Sequence, residues 1–221
     1  MTVKLRIDFV SDIACPWCAI GLASLSEALE RCSTELGAEL HFQPFELNPD
    51  MAPEGEDVGE HLARKYGSTP ERQAEMREMI AARGAAVGFR FNPRGRSRIV
   101  NTFKAHRLLH WAGLQGATQQ LALKRELLEA CHGRDERVDH DEVLLAVVAR
   151  AGLGVARARQ VLESDEFSAE VRAAERRWQQ AGIHSVPAVV IDAEHLISGG
   201  QPPEVFEQAL RQLAASGARA G

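Results

Sequence analysis

The feature that most constrains this chain is a close cysteine pair, Cys15-Pro16-Trp17-Cys18, which stands between two different periodic patterns. Residues 3–10 alternate apolar and polar side chains, which predicts a β-strand. After the cysteines, apolar residues recur at steps of three and four, which predicts an amphipathic helix. Because proline is favoured at the first position of a helix, Pro16 is predicted to begin the helix and Cys15 to be its N-cap.

This position predicts unequal chemistry for the two thiols. The Cys15 sulfur would face unpaired backbone N–H groups at the positive end of the helix dipole, and both features favour a thiolate. We therefore expect the pKa of Cys15 to fall within or near the range of ~3.5–7.5 found for activated cysteines. Cys18 lies one turn later, within reach of a disulfide, and is expected to be more buried and less acidic. Cys15 is thus predicted to attack and Cys18 to resolve.

A zinc site and a purely structural role are both weaker interpretations of the cysteine pair. A Cys-x-x-Cys pair can supply half of a zinc site, but the sequence has no second pair of this kind. Cys131 and His132 are adjacent, which is an awkward spacing for chelating one ion. Two ordinary buried cysteines would not need a proline between them at a helix start. We therefore predict a redox-active pair and no metal site.

The remaining patterns divide the chain into three segments. Residues 39–43 alternate again, so the chain opens with strand, helix and strand, the pattern of a βαβ unit. The first helix is predicted to continue through Leu36 and to stop at Gly37. The middle of the chain is predicted to be almost entirely helical from residue 58 to residue 181. Breaks between these helices are predicted at residues 67–70, 92–95, 113, 133–135 and 152.

Strand character returns at residues 188–191 and 195–198, and Pro202-Pro203 suits the start of a final helix. The whole pattern predicts an α/β protein with a thioredoxin-like fold that is interrupted by a large inserted helical domain. The predicted boundaries are residues 1–54 for the first half of the thioredoxin-like domain, 55–181 for the insertion and 182–221 for the second half.

Composition excludes several classes of function. Of 221 residues, 45% are hydrophobic and 26% are charged, which is the mix of an ordinary globular protein. The net charge is −5 and no basic stripe is interleaved with aromatic residues, so we expect no nucleic-acid partner. The apolar runs are too short to cross a bilayer, and residues 1–8 alternate and carry an early acid, unlike a signal peptide. We therefore expect a cytoplasmic protein with no membrane association.

Further motifs run through nearly the whole chain. They are Ser11-Asp12, Phe45-Glu46-Leu47-Asn48-Pro49 with Met51, Ala105-His106-Arg107-Leu108, Gly182-Ile183-His184-Ser185-Val186-Pro187 and Gly200-Gln201-Pro202-Pro203-Glu204-Val205-Phe206. Together with the Cys-Pro-Trp-Cys motif and the helical insertion, they resemble the DsbA superfamily of thiol–disulfide oxidoreductases, and most of all its FrnE-like branch. Ala19 departs from the pattern, since many relatives have an aromatic residue there, and this departure concerns the groove beside the site.

The resemblance implies that a cis peptide bond precedes Pro187 and that Pro187 lies opposite Cys15. A cis bond would turn the backbone of Val186 outward, where it could pair with an extended substrate. The alternative is a trans proline that starts an edge strand. The Cys15 sulfur is expected to be exposed, and Trp17 beside it is expected to shape the substrate surface.

Three further polar residues can each be interpreted in two ways. Asp12 could relay protons or orient the loop, or it could be a turn acid that bonds its own backbone. His184 could tune the Cys15 thiolate by its charge, or it could be an exposed loop histidine. His106 shares one helix face with His110, but no third ligand completes a metal site, so packing or substrate contact is expected.

The two remaining cysteines and two tryptophans are predicted to be structural. Cys32 belongs to the apolar stripe of the first helix, too far along the axis from Cys18 to take part in its disulfide. Cys131 ends a predicted helix and is expected to be more exposed. Trp111 and Trp178 are expected in the core.

The leading functional hypothesis is a thiol–disulfide oxidoreductase that exchanges disulfides with protein or small-molecule thiols. It would need no metal or organic cofactor, and glutathione is a candidate co-substrate. Because Pro-Trp places no charge between the cysteines, we expect an intermediate reduction potential. The sequence favours neither direction of exchange and no particular oligomeric state.

Two alternative functions follow from the same chain. The superfamily also contains glutathione-dependent isomerases and transferases similar to hydroxychromene-carboxylate isomerases, which typically have serine at the first site position. A binding or chaperone module with inert thiols is the third hypothesis. The intact pair of Cys15 and Cys18 favours the oxidoreductase over the isomerase.

Overall fold

The predicted strand, helix and strand open the chain in the computed structural model, which describes residues 3–217. Residues 1 and 2, part of the N-terminal pattern above, lie outside the described residues, as do 218–221. The first elements are β1 (Val3–Ser11), α1 (Pro16–Arg31) and β2 (Leu36–Pro44). β1 and β2 are parallel neighbours, so the chain must cross over between them, and α1 forms the crossover.

The end of β1 and the start of a later strand lie side by side. β5 (Ala188–Ile191) pairs antiparallel with β1, with Ala188 opposite Val10, and β6 (His195–Ser198) pairs antiparallel with β5. Within the described residues this sheet has the strand order β2-β1-β5-β6. Because β5 begins where β1 ends, the loop that precedes β5 comes next to the cysteine loop that follows β1.

The chain between β2 and β5 is mainly helical. Its helices are α2 (Val58–Tyr66), α3 (Pro70–Ala86), α4 (Phe103–Gln115), α5 (Ala117–Leu128), a π-helix (Glu129–Gly133), α6 (Asp141–Arg150), α7 (Val155–Leu162) and α8 (Ser168–Gln180). A last helix, α9 (Pro203–Gly217), packs against α1. Among the helices of residues 3–217, none combines the length and apolar character that crossing a membrane requires.

The cysteine loop lies between two apolar cores. One core packs the sheet against α1 and α9 and contains both Cys15 and Cys18. Another core lies among the inserted helices, and Ile13 of the cysteine loop belongs to it. The helical insertion is therefore packed directly against the segment that carries the cysteines. The buried positions of Trp111 and Trp178 agree with the prediction for these side chains.

The α/β architecture with a large helical insertion is confirmed, whereas the three domain boundaries stay predictions. The end of α1 was predicted wrongly. α1 ends at Arg31, and Leu36 begins β2 opposite Val3 instead of continuing the helix to Gly37. An apolar residue four positions after Cys32 fits a helical stripe and a buried strand equally well, so spacing alone could not distinguish them.

Two details of the middle segment also differ from the prediction. α4 continues through Gly113, and the chain turns at Gly116, whose φ of 139° suits glycine. A small antiparallel pair of strands, β3 (Glu56–Asp57) with β4 (Arg98–Ile99), joins the two ends of the α2–α3 region. These strands are too short to show alternation in the sequence.

Candidate active site

Cys15 is the N-cap of α1, with φ −90° and ψ 114° and with Pro16 in the first turn. The Cys15 thiol donates to the Val186 carbonyl oxygen, with 3.5 Å between sulfur and oxygen. Cys15 is only 4% exposed, so its sulfur is less accessible than the sequence indicated. The reason is the close approach of the loop before β5, which lies against the start of α1.

The two thiols of the pair differ in acidity. A hydrogen bond from the Cys18 thiol lowers the pKa of Cys15, and the N–H groups of Cys18 and Trp17 act in the same direction against burial and the Asp12 charge. Burial, followed by the neighbouring Cys15 sulfur, raises the pKa of Cys18 well above its ordinary value. The acidities therefore differ in the direction that their positions on the helix predict.

The loop before β5 is held against α1 by close backbone packing. The peptide bond between Val186 and Pro187 is cis, and the Pro187 carbonyl accepts a hydrogen bond from the Gly199 N–H at 2.8 Å. A Cβ added at Gly21 of α1 would lie 3.1 Å from Pro187 Cγ, so glycine permits this contact. The same packing brings Val186 and Pro187 next to Cys15.

Trp17 is half-buried beside this loop. A Cβ added at Gly200 would lie 2.9 Å from the Trp17 carbonyl oxygen, closer than packing allows. The absence of a side chain at residue 200 therefore lets the segment after β6 approach the start of α1. Trp17 is thus close to the cysteines and partly open to solvent, as a residue that shapes a binding surface would be.

Asp12 is completely enclosed below the cysteine loop. Its Oδ1 accepts hydrogen bonds from the Ala14 N–H at 3.1 Å and the Thr102 hydroxyl at 2.7 Å, and its Oδ2 accepts one from the Leu47 N–H at 2.7 Å. His106 Nε2 lies 3.5 Å from Oδ1. Burial favours the neutral acid, but His106 and the donors from Leu47 and Thr102 outweigh it and lower the pKa of Asp12. The side chain therefore joins the cysteine loop to the segment after β2 and to α4.

The histidines singled out from the sequence occupy different surroundings. His184 is exposed in the loop between α8 and β5, and its effect on Cys15 stays a prediction. His106 is buried against Asp12, whereas the His110 ring lies 5.1 Å from the Phe167 ring. In the part of the chain that the structure describes, no group of three or more His, Cys, Asp and Glu side chains is arranged to hold a metal ion.

Cys32 and Cys131 are both buried free thiols. Cys32 caps the end of α1 and packs in the core of the sheet, as predicted. The expected exposure of Cys131 was wrong, since Cys131 is 3% exposed. The π-helix extends the helical backbone to Gly133, so Cys131 packs in the helical core, with its sulfur 3.5 Å from Arg96 Nη1.

Lys124 and His132 lie buried near the cysteine pair. The sequence did not predict a role for Lys124 and presented His132 only as a possible metal ligand. Burial lowers the pKa of Lys124 to about 8, and the nearby Cys18 and Asp12 oppose this effect. His132 donates from Nε2 to the Ile13 carbonyl at 2.9 Å, and burial holds its pKa well below the ordinary value. Lys124 follows Gln120 and precedes Leu128 by one turn each, and this mixed polar and apolar stripe does not reveal from the sequence that the lysine is buried.

Comparison with known proteins places this geometry in one family. The model of the DSBA-like thioredoxin domain matches residues 6–211. A probable DsbA oxidoreductase from Streptomyces coelicolor is 35% identical, with a TM-score of 0.88 over 96% of this chain and 90% of that one.

Two more distant structures show the fold alone. The cytosolic disulfide reductase DsbM from Pseudomonas aeruginosa, solved with GSH, is 18% identical with a TM-score of 0.64, covering 94% of this chain and 98% of that one. A 2-hydroxychromene-2-carboxylate isomerase is 14% identical with a TM-score of 0.73, covering 98% and 99%. The family model and the Streptomyces coelicolor protein together show that this chain belongs to the DsbA-like family of thioredoxin-fold oxidoreductases.

Proposed function

We propose that this protein catalyses thiol–disulfide exchange through Cys15 and Cys18. The observation that carries the proposal is the position of the pair, with Cys15 as the N-cap of α1 and Cys18 fully buried one turn later. The lowered pKa of Cys15 and the raised pKa of Cys18 agree with it. A thiolate is the nucleophile in disulfide exchange, and a lower thiol pKa also makes a better leaving group. Cys15 therefore has the properties of the sulfur that meets the substrate.

In the reducing direction, the Cys15 thiolate attacks one sulfur of a substrate disulfide, and the other substrate sulfur leaves as a thiolate. Cys18 then loses its proton and attacks the Cys15 sulfur, which releases the second substrate thiolate and leaves a Cys15–Cys18 disulfide. The oxidising direction is the reverse of these steps. Two electrons pass between the substrate and the cysteine pair, so the exchange requires no metal or organic cofactor.

The proposed substrate contacts surround Cys15. A substrate sulfur that reaches Cys15 must approach past Val186, whose carbonyl oxygen lies 3.5 Å from the Cys15 sulfur. Pro187 and half-buried Trp17 adjoin the same place, which supports a substrate surface formed by Trp17, Val186 and Pro187. We assign Asp12 an orienting role, because a carboxyl group with a lowered pKa is a poor proton acceptor and its bonds fix the loop.

The proposed substrates are thiols and disulfides of proteins or small molecules, with glutathione as a candidate co-substrate. The DsbM structure, described as that of a cytosolic disulfide reductase with GSH, supports this choice and the proposal of a cytoplasmic location. The motifs from Ser11-Asp12 to Gly200–Phe206 support assignment to the FrnE-like branch.

A glutathione-dependent isomerase is the second candidate, because the isomerase structure matches nearly the whole chain. An isomerisation leaves the oxidation state of the substrate unchanged, so it does not require two cysteines whose thiol pKa values differ. Consumption of a disulfide in step with oxidation of Cys15 and Cys18 separates the two activities.

The test compares single cysteine variants in exchange with glutathione disulfide. Cys15→Ser is expected to abolish exchange, whereas Cys18→Ser is expected to accumulate a glutathione adduct on Cys15 that mass spectrometry detects. Cys32→Ala is the matched control, since it also removes one buried thiol and is expected to keep wild-type turnover.

Equal alkylation rates of Cys15 and Cys18 near neutral pH would contradict the proposal, as would wild-type exchange by Cys15→Ser. The Cys18→Ser variant also serves to identify the physiological substrate. Partners trapped on Cys15 can be released by a reductant and identified, which tests the proposed substrate class directly.

A further inference from the structure

A buried lysine lies below the cysteine pair without a hydrogen-bond partner. Lys124 is 0% exposed, and its Nζ makes no hydrogen bond to any protein group that the structure describes. A buried charge without a partner is unfavourable for folding and is normally replaced by an apolar residue or paired with an opposite charge. Its presence here therefore points to a role in the chemistry of the neighbouring site.

The position of Lys124 is fixed by its neighbours one turn away on α5. Gln120 accepts a hydrogen bond from the Phe42 N–H at 3.0 Å and donates to the Phe42 carbonyl at 3.2 Å, which fastens α5 to β2. Leu128 packs in the same core as Cys15 and Cys18. Lys124 lies between these two anchors, with Nζ 5.9 Å from the centre of the Phe42 ring.

Lys124 makes no hydrogen bond to Asp12, although the Asp12 charge also favours the ammonium form of Lys124. The Asp12 carboxylate already accepts hydrogen bonds from Ala14, Leu47 and Thr102, and His106 lies beside it. Cys18, by contrast, is fully buried. Its raised pKa keeps the Cys18 sulfur neutral except during the proposed exchange. When it is ionised, the Cys18 sulfur favours the ammonium form of Lys124 more than Asp12 or Cys15 does.

We infer that Lys124 supplies the positive charge that stabilises the Cys18 thiolate while Cys18 resolves a mixed disulfide on Cys15. This inference rests on the proposed function and adds a positioning residue to it. In this step the Cys18 thiol loses its proton, which the departing substrate thiolate takes up overall, and the Cys18 thiolate forms a bond to the Cys15 sulfur. The bond between Cys15 and the substrate sulfur breaks, and its electron pair leaves on the substrate as a thiolate. Lys124 contributes its charge and takes no part in bond formation.

The inference predicts a particular dependence on pH. The groups that face Lys124 are Cys15 and Cys18 of α1, Asp12 of the cysteine loop, and Cys131 and His132 of the π-helix. The ammonium form is present below the pKa of Lys124, which is about 8, and is lost as the pH rises above it. The advantage that Lys124 gives to Cys18 should therefore be largest in neutral solution and should vanish in alkaline solution, where the amine is neutral.

The experiment follows a single turnover of reduced protein with glutathione disulfide by acid quenching and mass spectrometry at a series of pH values. It separates formation of the glutathione adduct on Cys15 from its resolution by Cys18. Lys124→Met should slow resolution about three- to tenfold near neutral pH, because one nearby opposite charge lowers a pKa by about one unit or more while the stabilised thiolate is a weaker nucleophile. The rates of wild type and variant should converge as the pH rises through and beyond the lysine pKa.

Arg125→Met is the matched control, because it removes a positive charge from the adjacent residue of α5, where Arg125 reaches the exposed Ser26 hydroxyl. It should leave resolution unchanged. Lys124→Gln provides a second neutral side chain and should behave as Lys124→Met does. Replacing a buried charge by an uncharged residue of similar size is usually tolerated by the fold, and thermal unfolding checks this.

Equal resolution rates in wild type and both Lys124 variants would overturn the inference and leave the proposed function intact. Slowing by the same factor at every pH would also overturn it, since only a structural role predicts that result. Failure of wild type and of Cys18→Ser to form any adduct on Cys15 would overturn the proposed function and this inference together.

Discussion

Replacing Asp12 by asparagine removes one negative charge from below the cysteine loop and exchanges an acceptor oxygen for a donor nitrogen. An asparagine can keep both hydrogen bonds of Oδ1, from Ala14 and from Thr102. In Asp12 the Leu47 N–H donates to Oδ2 at 2.7 Å. In the variant the amide nitrogen takes the place of Oδ2, so the Leu47 N–H loses its acceptor. The opposite orientation of the amide would sacrifice the bonds of Oδ1 instead, so the loss of the Leu47 bond is the smaller damage.

The expected loss of stability follows from these contacts. One buried N–H without an acceptor costs about 1–3 kcal/mol. Loss of the charge that strengthens the remaining bonds adds roughly 1 kcal/mol. The free energy of unfolding should therefore fall by about 2–4 kcal/mol near neutral pH. Because the folded pKa of Asp12 lies below its value of ~3.9 in an unfolded chain, this stabilisation exists above ~3.9 and is lost as the pH falls through the folded pKa.

The same substitution should change Cys15 in the opposite sense. The Asp12 carboxylate raises the pKa of Cys15, so the asparagine variant should have a lower Cys15 pKa and more thiolate although it is less stable. Damage that merely loosened the start of α1 would raise the Cys15 pKa towards that of an ordinary thiol. The two readouts together therefore distinguish removal of a charge from loss of structure.

Urea unfolding at several pH values measures the first effect, and thiolate absorbance during a pH titration measures the second. Asp8→Asn is the control, since Asp8 is a second buried carboxyl group, on β1 before the cysteine loop, and its partners are Arg6 and Gln43. It should lower the free energy of unfolding by about 1–3 kcal/mol and leave the Cys15 titration unchanged, so it separates a general loss of stability from the effect on Cys15. Unaltered stability of Asp12→Asn, or a raised Cys15 pKa, would refute the reasoning.

Three further substitutions test other parts of the structure. The pKa of Glu46 is raised to about 8, by burial first and then by Glu175, so the folded state favours its neutral form. The free energy of unfolding should fall as the pH rises from ~4.3, the pKa of Glu in an unfolded chain, to about 8. Glu46→Gln should remove this pH dependence and raise the free energy of unfolding by about 2 kcal/mol, measured by urea titration in alkaline solution. Gly200→Ala places a Cβ 2.9 Å from the Trp17 carbonyl oxygen and should lower exchange activity and cost about 1–3 kcal/mol in urea unfolding. Arg107→Leu leaves the carbonyls of Val161, Ser164 and Glu166 without their donor and should lower the melting temperature, which calorimetry measures, with a loss of about 2–4 kcal/mol.

The parts of the molecule that the sequence predicted are those set by neighbouring residues. The N-cap at Cys15, the buried Cys32 and the strand–helix–strand opening each follow from patterns within a few turns of chain. The end of α1 was misplaced because Leu36 satisfies two patterns at once. A spacing that suits both a helix and a strand cannot distinguish between them. Pairing with Val3 across the sheet determines that Leu36 begins a strand.

The features of the site that the sequence did not predict depend on contacts between distant segments. Asp12 and Thr102 are 90 residues apart, and Ile13 and His132 are 119 apart. Lys124 lies on a helix with apolar and polar faces, where a lysine ordinarily points to solvent. Only the position of α5 against β2, fixed by Gln120, reveals that this lysine is buried.

These contacts make the helical insertion part of the active site. Thr102 and His106 from the α4 region hold Asp12, and His132 of the π-helix bonds the Ile13 carbonyl two residues before Cys15. A thioredoxin-like core without these helices would lose the Thr102 donor to Asp12 and the His132 donor to the Ile13 carbonyl, both of which lie beside Cys15. Because the same helices also provide Lys124, a change in how the insertion packs on the sheet would alter the charge around Cys18 without any change in the cysteines. The acidity of the pair is therefore set by both parts of the chain, so in the proposed exchange the insertion contributes to the reactivity of Cys18.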